Sequence, residues 1–198
     1  MAGPALAAEP ATVVALGDSL TAGYGLAPEE GFVPRLQAWL DARGAEAVVQ
    51  NAGVSGDTTA GGLSRVGWAL SPEADAVIVE LGGNDFLRAV DPASSRENLR
   101  AILEAVTARG LPALLVGIDA SSQYGPDYEA AFDGMYPALA QEFGTLLEPD
   151  FFAALREGGD LSAAIGAYMQ PDGIHPNAAG VERIVERIGP RVLELLAQ

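Results

Sequence analysis

From Thr12 onward the chain alternates short β-branched runs with amphipathic stretches of helical period, and only a parallel sheet covered by helices accommodates that order economically. The runs Thr12 to Leu16, Ala47 to Gln50, Ala76 to Leu81, Ala113 to Ile118 and Thr145 to Leu147 are predicted strands. Between them Leu99, Ile102, Leu103 and Val106 recur at i, i+3, i+4, i+7, and Phe132, Met135, Tyr136, Leu139 and Phe143 repeat the pattern. Gly44, Gly110 and Gly144 each stand where a helix should stop, and Ser94 with Glu97 has the form of a capping box. The last helix should start near Asn177, bury Val181, Ile184, Val185 and Ile188, and kink or break at Gly189-Pro190. Trp39 and Trp68 fall in helical stripes and read as core. The expectation is one α/β domain over residues 11–198, three layers deep, with a five-stranded parallel sheet.

Composition narrows the chemistry. Without Cys there is no thiol nucleophile, iron–sulfur cluster or cysteine-ligated zinc, and without Lys there is no Schiff base and no phosphate-gripping Walker lysine. The single His, His175, would leave a zinc site to carboxylates for nearly all its ligands, so neither metal nor cofactor is expected. A net charge of −16 opposes binding to nucleic acid and anionic lipid, and no apolar run approaches the roughly 20 residues of a spanning helix. Residues 1–10 are small and apolar, and Ala5-Leu6-Ala7 has the small-x-small form of a cleavage site. They read as a leader or signal-peptide remnant, which a cysteine-free chain allows in any redox compartment.

In open parallel sheets, ligands bind beyond the carboxyl ends of the strands, so the segments after each run are where chemistry is sought. Ser19 follows the first run in Gly17-Asp18-Ser19-Leu20, at the start of a helical turn whose free N–H groups favour developing negative charge. Gly56 follows the second and leaves its backbone N–H unobstructed; Asn84, in Gly82-Gly83-Asn84-Asp85, offers an amide. Near the end, Asp172 and His175 are three residues apart in a turn, close enough for a carboxylate to fix the imidazole tautomer. The Gly-x-Ser-x-Gly elbow of α/β-hydrolases is absent. Each signal alone has a bland explanation in turns, caps or core.

Taken together and in order, these blocks make the chain resemble the SGNH, or GDSL-type, hydrolases, and within them the bacterial thioesterase I, lysophospholipase and arylesterase group. Gly17 to Gly25, Asn51 to Gly56, Leu81 to Asn84, Tyr124-Gly125-x-x-Tyr128 and Asp172 to Pro176 carry the likeness. The resemblance implies a flavodoxin-like α/β/α fold and an exported, periplasmic or secreted, metal-independent serine esterase acting on small ester or thioester substrates. It implies Ser19 as nucleophile, His175 as base, Asp172 as its orienting acid, and an oxyanion hole made by the Ser19 and Gly56 N–H groups and the Asn84 amide. A monomer is expected. Two departures bear on substrate: Asp119-Ala120-Ser121-Ser122-Gln123 replaces an apolar, proline-containing segment before Tyr124, and Phe86 replaces a small or aliphatic residue. Phe86, Asp119, Ser121, Ser122 and Tyr124 are therefore candidate substrate contacts, favouring short acyl chains and aromatic leaving groups. The competing expectations are a carbohydrate O-acetylesterase of the same superfamily and a non-catalytic flavodoxin-like binding module.

Overall fold

The computed structural model describes residues 9–156 and 161–198; most of the expected leader lies outside them. Five parallel strands are β1 (Ala11–Gly17), β2 (Ala47–Gly53), β3 (Ala74–Glu80), β4 (Ala113–Val116) and β5 (Leu146–Glu148). They lie in the order β2-β1-β3-β4-β5, the flavodoxin-like arrangement. Val13 to Leu16 and Ala76 to Val79 are buried, as central strands covered on both sides require, whereas Ala47 to Gln50 at the edge alternate buried and exposed. Strand ends differ from the sequence expectation where pairing decides them. Strand β2 runs on to Gly53 because it stays in register with β1 up to Gly17, and β4 stops at Val116 where its pairing with the short β5 ends.

The helices are α1 (Ser19–Ala22), α2 (Phe32–Asp41), α3 (Thr59–Ala69), α4 (Gly83–Leu87), α5 (Pro92–Thr107), α6 (Pro126–Phe143), α7 (Ala153–Arg156), α8 (Leu161–Tyr168) and α9 (Ala178–Leu196). Helices α2 and α9 pack together over one face, with α7 and α8 against α9; α3, α5 and α6 form the other layer. The predicted stripes on α5, α6 and α9 are buried, with Phe143 at the partly buried margin.

Three local expectations are corrected. Helix α5 begins before the Ser94/Glu97 pair: Asp91 caps it by accepting from Ala93 N at 3.0 Å, and Pro92 takes the first position, where no N–H is needed. Helix α9 does not break at Gly189-Pro190 but continues through it. Gly189 serves packing there, since a Cβ on it would lie 2.7 Å from the Trp39 ring of α2. Trp39 is buried, but Trp68 is 74% exposed and points outward from α3.

The strand ends converge on one crevice. Gly17 pairs with Gly53 on one side and with Glu80 on the other, so the connections leaving β1, β2 and β3 emerge side by side. Arg65 from α3 clamps this edge: it donates to the carbonyls of Gly17 and Ala52, both at 2.8 Å, and to Asp57 at 2.6 Å. A buried guanidinium with both prongs and its Nε occupied repays its desolvation, which an unpaired one would not.

Candidate active site

Ser19 opens α1 directly after β1. Asp18 is the N-cap, its Oδ1 accepting from Leu20 N at 3.0 Å, a bond of the kind that contributes about 1 kcal/mol. The Ser19 N–H lies too early in the helix for an intrahelical partner. Gly17 makes the close approach feasible, because a Cβ there would fall 2.0 Å from Thr21 Oγ1.

His175 reaches Ser19 from the opposite end of the chain. Its Nε2 lies 2.9 Å from Ser19 Oγ and its Nδ1 lies 2.7 Å from Asp172 Oδ2. Asp172 Oδ1 accepts from the Ile174 and His175 N–H groups at 2.9 and 3.1 Å, which fixes the turn. The bond to His175 holds the Asp172 carboxyl down to about 2. Tyr24 packs its ring 4.7 Å from the imidazole. Gln170 steadies the segment by accepting from Gly173 N and donating to the carbonyls of Tyr24 and Pro176.

Asn84 sits in the first turn of the short helix α4. Its Nδ2 donates to Asp18 Oδ2 at 3.0 Å. The next residue, Asp85, is buried and accepts from Thr59 N, Thr59 Oγ1 and Ser95 Oγ at 2.8, 2.6 and 2.8 Å, tying α4 to α3 and α5. Gly56 has φ +86°, and its carbonyl accepts from Arg88 Nη2 at 2.9 Å. Arg88 caps α4 and so links the Asn84 element to the Gly56 turn.

A cleft of about 250 Å³ holds Ser19, Asn84 and His175, with Leu20, Phe86, Leu87, Ile118 and Phe152 as apolar wall. Asp119, Phe152, Gly173 and Ile174 also border a second cavity of about 350 Å³ that extends to Leu155, Ile165 and Met169.

The expected substrate contacts therefore divide. Phe86 and Asp119 line the cleft, and Ser121 lines only the second cavity. Ser122 and Tyr124 form a short 3₁₀ turn and border neither cavity; Tyr124 instead packs edge-on against Phe86 at 5.5 Å. Asp119 is not a lone charge, since it pairs with Arg156, which also reaches Asp150 at 3.1 Å. Among the roles the sequence did not suggest are those of Asp18, Arg65, Asp85 and Arg88. Their signal was faint, being polar residues beside motif positions, and their partners lie far away in the chain.

Comparison with known proteins gives the family. The profile of the GDSL-like lipase/acylhydrolase family matches residues 15–183. Esterase TesA of Pseudomonas aeruginosa is 40% identical over 186 residues, covering 93% of this chain and 89% of that protein. Thioesterase 1/protease 1/lysophospholipase L1 of Escherichia coli strain K12 is 38% identical over 167 residues, 84% of this chain and 76% of that one. The crystal structure of AlinE4, an SGNH-hydrolase family esterase, superposes with a TM-score of 0.77 at 42% identity, covering 96% of this chain and 99% of the other. With the family profile, these relatives and the sheet order in agreement, the chain belongs to the GDSL-like lipase/acylhydrolase family and is a hydrolytic enzyme.

Proposed function

We propose that the protein hydrolyses carboxylic esters through an acyl-enzyme on Ser19, and that short-chain acyl and aryl esters are its preferred substrates. The observation that carries this reading is the unbroken chain Ser19 Oγ to His175 Nε2 to Asp172 Oδ2, at 2.9 and 2.7 Å, opening into the cleft.

The step sequence follows from the positions. Ser19 Oγ attacks the ester carbonyl carbon while His175 Nε2 takes its proton, and Asp172 holds the imidazole with Nδ1 as donor and stabilises the cation formed. The carbonyl oxygen becomes an oxyanion served by the Ser19 N–H, the Gly56 N–H and the second hydrogen of Asn84 Nδ2, the first being taken by Asp18. Collapse breaks the ester C–O bond, and His175 returns the proton to the departing alcohol or phenol. Water, deprotonated by His175, then attacks the acyl carbon and frees the acid and Ser19.

Substrate preference rests on the cleft. The ring of Phe86 offers a stacking surface for an aromatic leaving group, and the Asp119–Arg156 pair stands where the cleft meets the second cavity. Family membership sets aside the binding-module alternative, and no feature of the cleft favours a sugar O-acetyl ester over a simple one.

Among the described residues, no helix is long and apolar enough to cross a membrane. We propose an exported monomer without a nucleic-acid partner: the absence of cysteine allows export into any redox compartment, and the charge of −16 opposes nucleic acid. Cell fractionation and sedimentation test the location and the oligomeric state.

A fluorophosphonate should label the protein once, with the adduct on Ser19. The Ser19→Ala variant should lose about 10⁴-fold or more in turnover of p-nitrophenyl acetate. A label elsewhere, or a Ser19→Ala protein with undiminished turnover, overturns the reading.

A further inference from the structure

Asn84 takes its orientation from Asp18, and Asp18 shares its surroundings with a second carboxyl group that the reaction does not touch. Glu80 ends β3 beside Gly17 and is 1% exposed. Its Oε2 accepts from the Thr21 hydroxyl of α1 at 2.8 Å and faces the Asp18 N–H at 3.5 Å. Its Oε1 is buried with no hydrogen-bond partner among the described residues.

No ion pair among the described residues includes Glu80 or Asp18. Arg65, which reaches the same strand end, spends its guanidinium on Asp57, Ala52 and Gly17. The strand neighbours of Glu80, Gly17 and Val116, carry no charge. The other groups facing this region are the Tyr136 phenol of α6, which donates to the Leu81 carbonyl at 3.1 Å, beyond it Asp85 of α4, and, on the Asp18 side, Asp57 and the His175 imidazole, whose charges act on Asp18.

Two buried carboxylates without a cation cannot both stay ionised cheaply. Their hydrogen bonds decide which keeps the proton. Asp18 accepts two N–H donors, one on each oxygen, an arrangement that suits an anion. Glu80 has the Thr21 hydroxyl and a long Asp18 N–H contact on one oxygen, with the Thr21 N–H close by, and no hydrogen-bond partner on the other oxygen among the described residues, so its neutral form loses least on burial. Burial and the neighbouring Asp18 push Glu80 well above the usual carboxylate range, in the same direction.

We propose that Glu80 is a positioning residue that works as a neutral carboxylic acid. It accepts from Thr21 and the Asp18 backbone to seat the start of α1, and leaves Asp18 as the one anion that aims the Asn84 amide into the oxyanion site. The proposal rests on the oxyanion role of Asn84 given above. It requires an acceptor at Oε2 and the absence of charge, two properties that glutamine reproduces and alanine does not.

The test combines kinetics on p-nitrophenyl acetate with infrared spectroscopy of the whole chain. Glu80→Ala should lower kcat by about 10- to 100-fold with KM nearly unchanged, the size expected from a misaimed catalytic group. Glu80→Gln should recover most of that loss at neutral pH. The wild type should lose kcat at alkaline pH as Glu80 ionises beside Asp18, a decline missing from Glu80→Gln. A protonated-carboxyl C=O band should be present in the wild type at neutral pH and disappear in Glu80→Gln. Absence of that band, or a folded Glu80→Gln as impaired as Glu80→Ala, overturns the proposal. If Glu80→Ala fails to fold, the band and the pH profile of Glu80→Gln decide. An Asn84→Ala variant with unchanged kcat would overturn the oxyanion reading separately, because the band reports the Glu80 proton alone.

Discussion

Asn84 donates one amide hydrogen to Asp18 Oδ2 at 3.0 Å, while the other oxygen of the same carboxylate holds the Leu20 N–H at 3.0 Å. One side chain thus joins the helix that begins with Ser19 to the helix that carries Asn84, and fixes the distance between the proposed nucleophile and the proposed oxyanion donor. Asn84→Ala should lower kcat about 10²- to 10³-fold with little change in KM, as for the loss of a donor used only in the transition state. In Asp18→Asn a single amide oxygen must serve two donors, so kcat should fall about 10- to 100-fold, again with KM preserved. A pure KM effect in either variant would move the pair from catalysis to substrate binding.

How much of this was legible in the sequence follows from the range of each interaction. Ser19, Asp172 and His175 stand in local motifs, and the five strands follow from hydrophobic runs, so both are legible in short windows, whereas the order of those strands in the sheet is not. The link from Asp18 to Asn84 spans 66 positions and that from Arg65 to Gly17 spans 48, and a polar residue near a motif does not announce a partner so distant. Trp68 shows the converse error: helical spacing assigned it to the core, but α3 turns that position to solvent, and periodicity alone does not say where a stripe's edge falls. Of the candidate contacts Asp119, Ser121, Ser122 and Tyr124, only Asp119 and Ser121 border a cavity. The 3₁₀ turn at Ser122–Tyr124 carries the rest away, a local geometry with no strong sequence signal.

Arg88 should matter for rate although it lies on the exposed rim. Its 2.9 Å bond to the Gly56 carbonyl holds the turn, at a residue with φ +86°, whose N–H is proposed above as an oxyanion donor. Arg88→Ala should reduce kcat by about tenfold while leaving thermal stability within a degree or two, since an exposed hydrogen bond contributes little to folding. Steady-state kinetics and a melting curve check this; an unchanged kcat would show that the Gly56 turn holds its shape unaided.

Stability should rise on mild acidification, opposite to the usual behaviour of paired carboxylates. Burial lifts Asp18 to about 6 and Glu80 well above its ordinary range. For both, the folded state binds protons at a higher pH than the unfolded chain. Stability is therefore fully present below the unfolded carboxylate range and is lost as pH rises through 6 and beyond. Asp172, held down to about 2, works in the reverse sense, and its contribution disappears only as pH falls through the range between 3.8 and 2. The melting temperature should be a few degrees higher at pH 5 than at pH 7.5. Relief of repulsion in a chain of charge −16 contributes to the same trend, so the Asp18→Asn variant separates the two: its pH dependence should be clearly shallower. An identical slope in that variant would assign the whole trend to net charge.

Acyl-chain length should be limited by the ion pair at the junction of the two cavities. The 250 Å³ cleft beside Ser19 accommodates a short acyl group, and a longer chain must continue past Asp119 into the 350 Å³ space lined by Leu155, Ile165 and Met169. Each methylene buried there would contribute about 0.8 kcal/mol. Asp119 and Arg156 are 44% and 37% exposed at the side chain, and stripping water from such a pair costs several kilocalories per mole when the apolar neighbour offers nothing in return. That cost offsets the gain from roughly the first few methylenes beyond the cleft, so kcat/KM should peak at short p-nitrophenyl esters and decline toward octanoate and palmitate. Replacing both partners, Asp119→Leu with Arg156→Leu, removes both charges of the pair, while Asp150, which Arg156 also reaches, keeps the Phe152 N–H at 3.1 Å. It should raise kcat/KM for octanoate about tenfold while acetate changes little. A wild-type rate that climbs steadily to palmitate would show that long chains take another route, and an unchanged length profile in the double variant would clear the pair of any part in selecting the substrate.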